Sequence, residues 1–370
     1  MDTALPMNYP GFAFRALRDD GISSAALLMG TGLIETLLVD PSHRSDFGQL
    51  RRSPAAGRVA VKIGLLFAAL AVLAACGEVP PDAAPSARAA CKGLVEAAMI
   101  WVPGGRFTMG ADPKYPEEGP AREVAVKGFW ISRTEVTNAQ FAHFVAATGY
   151  RTEAERAPPL LPDAPPEMRL PGSAVFRVPT PDNRNWWRWV PGANWRHPSG
   201  PDSAIDGRAT DPVVQITYND AAAYARWAGL SLPSEEQWEY AARAGAAALP
   251  EPKDAAGAPV ANYYQGAFPM RDTGVDGFTT RAPVGCFAAN AFGLYDMIGN
   301  VWEWTTATPR PDRPVNVIKG GSFLCAANYC ARYRPAARQF QERDLGTDHI
   351  GFRVVDNRRP APKATGATQP

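Results

Sequence analysis

Turn-forming residues fall so densely along this chain that long regular elements have no room to form. Its 370 residues include 33 glycines and 36 prolines, together approaching a fifth of the total. Glycine interrupts helices and strands through conformational freedom, proline through a fixed φ and a missing N–H. A disordered chain shares such a composition, but 10 Trp, 11 Tyr and 16 Phe supply the apolar surface that disordered segments lack. The two facts together call for a packed domain of short elements joined by turns. A net charge of +1 gives no electrostatic reason to expect nucleic acid or an acidic membrane surface as partner.

Element ends are marked along the body of the chain. Met99–Val102, Pro103–Gly105 and Arg106–Gly110 read as strand, turn, strand, and Glu123–Arg133, broken at Lys127-Gly128, as another short strand pair. Thr137 and Gln140 form a capping box ahead of Phe141, Phe144 and Val145, with Gly149 as the stop. Asn219 is expected to cap a second helix carrying Tyr224, Trp227 and Ala228 and ending at Gly229. Ser234 and Gln237 box a third, with Trp238, Ala241 and Ala242, terminated by Gly245. Each cap contributes roughly 1 kcal/mol, enough to fix a boundary and too little to hold a short helix alone. Leu160–Val190 is Pro-rich and irregular and leads to Trp186, Trp187, Trp189 and Trp195, which either pack a core or line a groove for a peptide.

Ahead of the body, Arg58–Lys62 introduces an apolar run, Ile63–Ala75, too short to span a bilayer. A positive start, a short apolar run and small residues before Cys76 have the anatomy of a signal peptide over 59–75. Leu73-Ala74-Ala75-Cys76 resembles the lipobox of bacterial lipoproteins, which makes Cys76 the lipidation site and 76–95 a Pro/Ala-rich tether. The expectation is a protein of the cell envelope, periplasmic and joined to a membrane through a lipid anchor. Residues 1–58 are expected to be an over-extended or unstructured start, 96–357 the folded domain, and 358–370 a disordered tail.

Five cysteines (Cys76, Cys91, Cys286, Cys325, Cys330) are too few for a disulfide scaffold. Cys325 and Cys330, with four residues between them, could clamp a soft metal, close a small disulfide or act together in redox chemistry. Lys319, Arg332, Arg334 and Arg338 surround them, and cationic neighbours lower a thiol from its free pKa of about 8.5.

The motifs Gly-Gly-Arg-Phe-Thr-Met-Gly (104–110), Asn-Trp-Arg-His-Pro (194–198), Leu-Pro-Ser-Glu-Glu-Gln-Trp-Glu-Tyr (232–240), Phe-Gly-Leu-Tyr-Asp-Met-Ile-Gly-Asn-Val-Trp-Glu-Trp (292–304), Gly-Gly-Ser-Phe (320–323) and Gly-Phe-Arg (351–353) run in order from Met99 to Val355. In that order they resemble the formylglycine-generating enzyme (sulfatase-modifying factor) family, aerobic copper-dependent type. The resemblance implies a single α+β, C-type-lectin-like domain with short strands and few short helices. It implies oxidation by O2 of a cysteine in a Cys-X-Pro-Ser-Arg motif of an unfolded sulfatase to Cα-formylglycine. Cys325 and Cys330 would bind Cu(I), a soft ion suited to thiolates. Ser322 would orient oxygen or substrate, and an external reductant would be needed. A structural disulfide between the two cysteines is the plainer alternative.

The same resemblance implies two Ca2+ sites of hard oxygen ligands, Asn262, Tyr263, Asp276 and Phe278 at one and Asp296, Gly299, Val301 and Glu303 at the other. Ala225, Ala242, Pro335 and Val354 stand where animal relatives carry two disulfides. Cys286 reads as a buried thiol, and Cys91 has no assignment. Two other readings remain open: a non-catalytic envelope binding lipoprotein on the same scaffold, and an oxidase of a different thiol substrate.

Overall fold

The structure is a computed structural model that describes residues 91–362 except 97, 159–163, 247–250 and 311, all within one compact unit. The leader, Cys76 and residues 1–58 lie outside the described residues.

The first four strands form one interrupted ribbon. β1 (Met99–Val102) pairs antiparallel with β4 (Phe129–Ser132), and β2 (Gly105–Met109) with β3 (Arg122–Val126). Val102 faces Phe129, and three residues on Gly105 faces Val126, so the second pair keeps the register of the first. The ladder breaks at Pro103, which has no N–H to give it. Neither strand pair read from the sequence closes on itself; each strand finds its partner in the other pair.

α1 (Asn138–Thr148) has the expected Thr137–Gln140 capping box and ends at Gly149. α2 (Tyr218–Trp227) starts two residues earlier than expected: its cap is Thr217, boxed with Asp220, whereas Asn219 donates from its side chain to Glu153 Oε1 at 2.8 Å. A Thr-x-x-Asp box satisfies the same orphan N–H groups as the commoner Glu or Gln form. α3 (Glu235–Arg243) carries the Ser234–Gln237 box. The helices are held by packing. Phe141 of α1, fully buried, touches the rings of Phe144, Trp195, Tyr224 and Phe352 at centroid distances of 5.4, 5.2, 6.0 and 6.4 Å. Burying one such side chain contributes about 1.5–3 kcal/mol, more than its helix gains from the cap.

β5 (Gly172–Phe176) and β6 (Trp187–Pro191) form a hairpin, β7 (Gly266–Ala267) and β8 (Arg271–Asp272) a small one. The remaining strands build the central sheet, β11 (Arg338–Glu342), β10 (Val315–Lys319), β9 (Trp302–Trp304) and β12 (Ile350–Gly351), in that order. β13 (Val355–Asp356) adds to β4. The architecture is α+β, as the resemblance implies. All five residues of β10 are buried, so the 18-residue connection from Gly320 to Ala337 leaves from a strand packed on both faces. Ala225, Ala242, Pro335 and Val354 are all buried, apolar filling where disulfides would stand.

Two boundaries move. Cys91, read as part of the tether, is bonded to Cys286, so Cys286 is not a buried thiol. Around that link Leu94 N–H donates to Val284 and Thr210 Oγ1 to the Lys92 carbonyl. At the other end the expected tail begins in contact with the domain: Trp130 Nε1 donates to Pro360 at 3.0 Å and the Arg359 guanidinium lies 3.9 Å from the Trp130 ring centroid. Residues 363–370 lie outside the described residues.

Candidate active site

The chain leaves β10 through Gly320 and Gly321, both with positive φ. At Gly321 a Cβ would sit 2.6 Å from the Tyr333 Cα, so only glycine lets the two limbs of the connection approach. Ser322, fully buried, then starts a tight turn: its carbonyl accepts from Cys325 N–H (2.9 Å) and its Oγ from Leu324 N–H (3.2 Å). A second turn, Cys330 N–H to the Ala326 carbonyl at 2.8 Å, folds the chain back and brings the two thiols together. Two successive turns of one connection thus bring Ser322, Cys325 and Cys330 together.

Cys325 and Cys330 are both free thiols, Cys325 buried and Cys330 half-buried. Their environments split them. A hydrogen bond from the Cys325 thiol, with the Arg332 guanidinium beside it (Nη1 to Sγ 3.5 Å), lowers Cys330 to about 6. Burial, reinforced by the neighbouring Cys330 charge, holds Cys325 well above the ordinary thiol range. Cys330 thus favours the thiolate, and Cys325 the thiol that donates to it.

Only one of the four cations expected around the pair acts on it. Lys319 is fully buried against Glu239 (3.0 Å), Arg334 is bonded to Glu118, and Arg338 to Glu235 at 2.7 Å. The Trp cluster divides too. Trp195 and Trp187 are buried, and Trp186 packs edge-on to Phe268 and Tyr329 at 6.0 and 5.9 Å. Tyr329 lies between the two cysteines in sequence and is 41% exposed, so this aromatic group borders the thiol turn. Trp189 is half-buried on β6.

The first oxygen-rich loop abuts the thiol turn directly, because Tyr264 N–H donates to the Cys325 carbonyl at 3.0 Å. Asp276 organises it, accepting from the N–H groups of Tyr263 (3.1 Å) and Phe278 (2.9 Å). Gln265 Nε2 bonds Asp276 Oδ2 at 2.6 Å and also the Tyr263 carbonyl, tying two of the four expected ligands to one donor. Burial raises Asp276 to about 6. Asn262 donates through Nδ2 to the Thr280 carbonyl and to Asn300 Oδ1.

At the second, Glu303 accepts from Arg353 through both oxygens (2.6 and 2.7 Å) and from Trp238 Nε1 (2.7 Å), all fully buried. Asp296 Oδ2 accepts from Gly285 N–H at 2.7 Å. Gly299 presses on Asn262, whose carbonyl would lie 2.1 Å from a Cβ there, which links the two loops. Val301 is buried beside them. Glu135, just before α1, completes the group; its Oε1 accepts from Asn300 Nδ2 at 3.1 Å, and its carboxyl lies against that of Asp296. Burial and then Asp296 push Glu135 well above the usual carboxylate range, and burial raises Asp296 to about 6.

Three buried carboxylates against one guanidinium leave an excess of acceptors that protons or a hard cation must balance. Oxygen donors of this kind fit Ca2+. Among the described residues no three His, Cys, Asp or Glu side chains are arranged so that they alone could hold a metal ion, and in the two expected ligand sets half the members would have to be backbone carbonyls. Glu135, Arg353 and Gln265 are not among the site residues that the sequence points to. Arg353 closed a quoted motif; Glu135 and Gln265 had no signal, because their partners lie 161 and 11 residues further along the chain.

Comparison with known proteins adds the family. Residues 84–358 match the family model described as sulfatase-modifying factor enzyme 1-like domain. The chain is 48% identical over 289 residues to a formylglycine-generating enzyme of Mycobacterium tuberculosis, covering 70% of this chain and 97% of that one. A formylglycine-generating enzyme of Mus musculus is 40% identical over 306 residues, 75% and 80% covered. A Mus musculus protein named inactive C-alpha-formylglycine-generating enzyme 2 is 41% identical over 270 residues, 70% and 86% covered. Among solved structures, PvdO from Pseudomonas aeruginosa aligns with a TM-score of 0.48 at 27% identity, covering 70% and 93%.

Proposed function

The chain belongs to the sulfatase-modifying factor enzyme 1-like family, and from that premise we propose that it is an enzyme that activates sulfatases by converting a cysteine to Cα-formylglycine. Active and inactive relatives match at nearly the same identity, so similarity alone does not carry the activity. The observation that does is the Cys325–Cys330 pair: two free thiols in contact, one lowered to about 6, while Cys91 and Cys286 are joined.

In this reading Cys325 and Cys330 hold Cu(I), whose preference for soft sulfur suits the donor pair. When bound, the ion supplies the means to use O2. The chain's own residues do the rest. The connection from Ser322 to Cys330, buried as far as Ala326, fixes the two sulfurs, and the Ser322 hydroxyl stands at its start to orient substrate or oxygen. The aromatic border of Trp186, Phe268 and Tyr329 offers an apolar wall to a Cys-X-Pro-Ser-Arg segment of an unfolded sulfatase. The balance is one substrate cysteine thiol, one O2 and two hydrogens from an external two-electron reductant, giving aldehyde, hydrogen sulfide and water. The C–S bond breaks, a C=O bond forms, and O2 accepts four electrons, two of them from the substrate.

Ca2+ at the Asn262/Tyr263/Asp276/Phe278 and Asp296/Gly299/Val301/Glu303 loops would brace the chain against which Cys325 hangs. Export to the cell envelope, with a lipid on Cys76, belongs to the same reading; a Cys91–Cys286 disulfide suits an oxidising compartment. The test is an aerobic incubation of the full chain, Cu(I) and a thiol reductant with a Cys-X-Pro-Ser-Arg peptide. Mass spectrometry should find the aldehyde product. An unaltered peptide with Cu(I) fully bound would refute this substrate assignment.

A further inference from the structure

The loop between β2 and β3 is clamped onto the thiol-bearing connection by side chains that the activity above does not use. Glu117 Oε1 accepts from Arg332 Nη2 at 2.6 Å and from Arg332 Nε at 3.2 Å. The Tyr115 ring lies under the same guanidinium, 4.0 Å from its Cζ, and the Tyr115 hydroxyl oxygen accepts from Ala331 N–H at 3.1 Å. Two further arginines pin the same loop: Arg334 bonds Glu118, and Arg338 Nη1 donates to the Glu117 carbonyl at 3.4 Å.

A guanidinium is a rigid fork, so fixing one edge aims the rest. With Nε and Nη2 engaged by Glu117 and one face covered by Tyr115, the Nη1 edge is left to meet Cys330 Sγ at 3.5 Å. Among the described residues no cationic side chain is hydrogen-bonded to Cys325 Sγ. The two sulfurs are therefore held differently, one by a charged donor from outside the turn and one by the turn alone.

We propose that Arg332, oriented by Glu117 and Tyr115, is the positioning residue of Cys330 and makes the two sulfurs of the pair inequivalent toward a soft metal ion. This rests on the reading of the pair as a Cu(I) site. Arg332 reaches the Cys330 sulfur itself; Glu117 acts through Arg332, and Tyr115 both through it and through the Ala331 N–H beside Cys330. The clamp spans 215 residues of sequence, so the β2–β3 loop becomes part of the site although it contributes no ligand.

The experiment measures Cu(I) affinity of the full chain by competition with a chromogenic Cu(I) chelator, with the thermal midpoint recorded for each variant. Arg332→Gln should weaken binding about tenfold, the factor that one lost charge-assisted hydrogen bond carries. Glu117→Ala, which leaves Arg332 in place but unaimed, should weaken it in the same direction by less, and Arg332→Lys should recover part of the loss. Arg338→Gln, which touches the same loop but no sulfur, should bind as wild type. Wild-type affinity in both Arg332→Gln and Glu117→Ala, with unchanged midpoints, would overturn the proposal alone. Failure of the wild-type chain to bind Cu(I) would overturn the site reading and the proposal with it.

Discussion

Replacing both Cys91 and Cys286 by serine should destabilise the domain by several kcal/mol. The bond joins residues 195 apart, so in the unfolded chain it closes a loop spanning most of the domain. The chain-entropy relation for a loop of that size gives ~18 cal/mol/K, or ~5 kcal/mol at 25 °C, as an upper bound. The folded state reduces that figure. Without the covalent link the Cys91–Leu94 segment is retained by the Leu94–Val284 and Thr210–Lys92 hydrogen bonds. Each is worth roughly 0.5–1.5 kcal/mol net, so the segment frays in part and the native state regains some freedom. A loss of about 3–5 kcal/mol follows, equivalent to roughly 6–20 °C at the 2–4 °C per kcal/mol typical of a domain this large. Urea titration of wild type and the double serine variant measures it, and the slope should also steepen in the variant, because an unfolded chain freed of its link exposes more surface. A midpoint and slope indistinguishable from wild type would refute the reasoning.

Other consequences can be checked directly. Arg353→Met removes the cation facing Glu303, Glu135 and Asp296 in a fully buried site; it should cost about 3–5 kcal/mol in denaturant titration, as breaking a buried pair does. Burial raises Asp348 to about 7, above its unfolded value, so it favours the fold at low pH and that contribution is lost as pH rises toward 7. Asp348→Asn should therefore gain stability relative to wild type between pH 4 and 7, by up to about 1.4 kcal/mol per pH unit, and a pH-independent difference would exclude the shift. To hold Ca2+ as proposed, Asp276 and Asp296, both raised to about 6, would have to lose protons. Adding Ca2+ to metal-free protein should thus raise the thermal midpoint more at pH 7.5 than at pH 5; equal shifts would contradict the calcium assignment.

What the sequence disclosed follows the range over which each signal acts. Helix caps are local, and Thr137 and Ser234 were found because their partners lie three residues on. The cap of α2 was misplaced because Asp220 is a less familiar third member than Glu or Gln. Ser322, Cys325 and Cys330 were legible because one short connection carries all three. The ribbon pairing was not, since β1 skips its sequence neighbour β2 to reach β4. The Cys91–Cys286 bond, the Glu135–Asp296–Glu303–Arg353 group and the Glu117–Arg332 clamp join residues brought together by folding alone, with no periodicity to announce them. The four cations beside the thiols are neighbours in sequence, but only the fold shows that three of them pair with Glu118, Glu235 and Glu239.

The most direct test of the thiol pair as the site is peptide conversion followed one cysteine at a time. With Cu(I), O2 and reductant, wild type should turn the Cys-X-Pro-Ser-Arg peptide into its formylglycine form. Cys325→Ala and Cys330→Ala should each abolish the product, while the Cys91→Ser/Cys286→Ser double variant, assayed below its lowered melting point, should still form it. Product from both alanine variants at the wild-type rate would contradict the account.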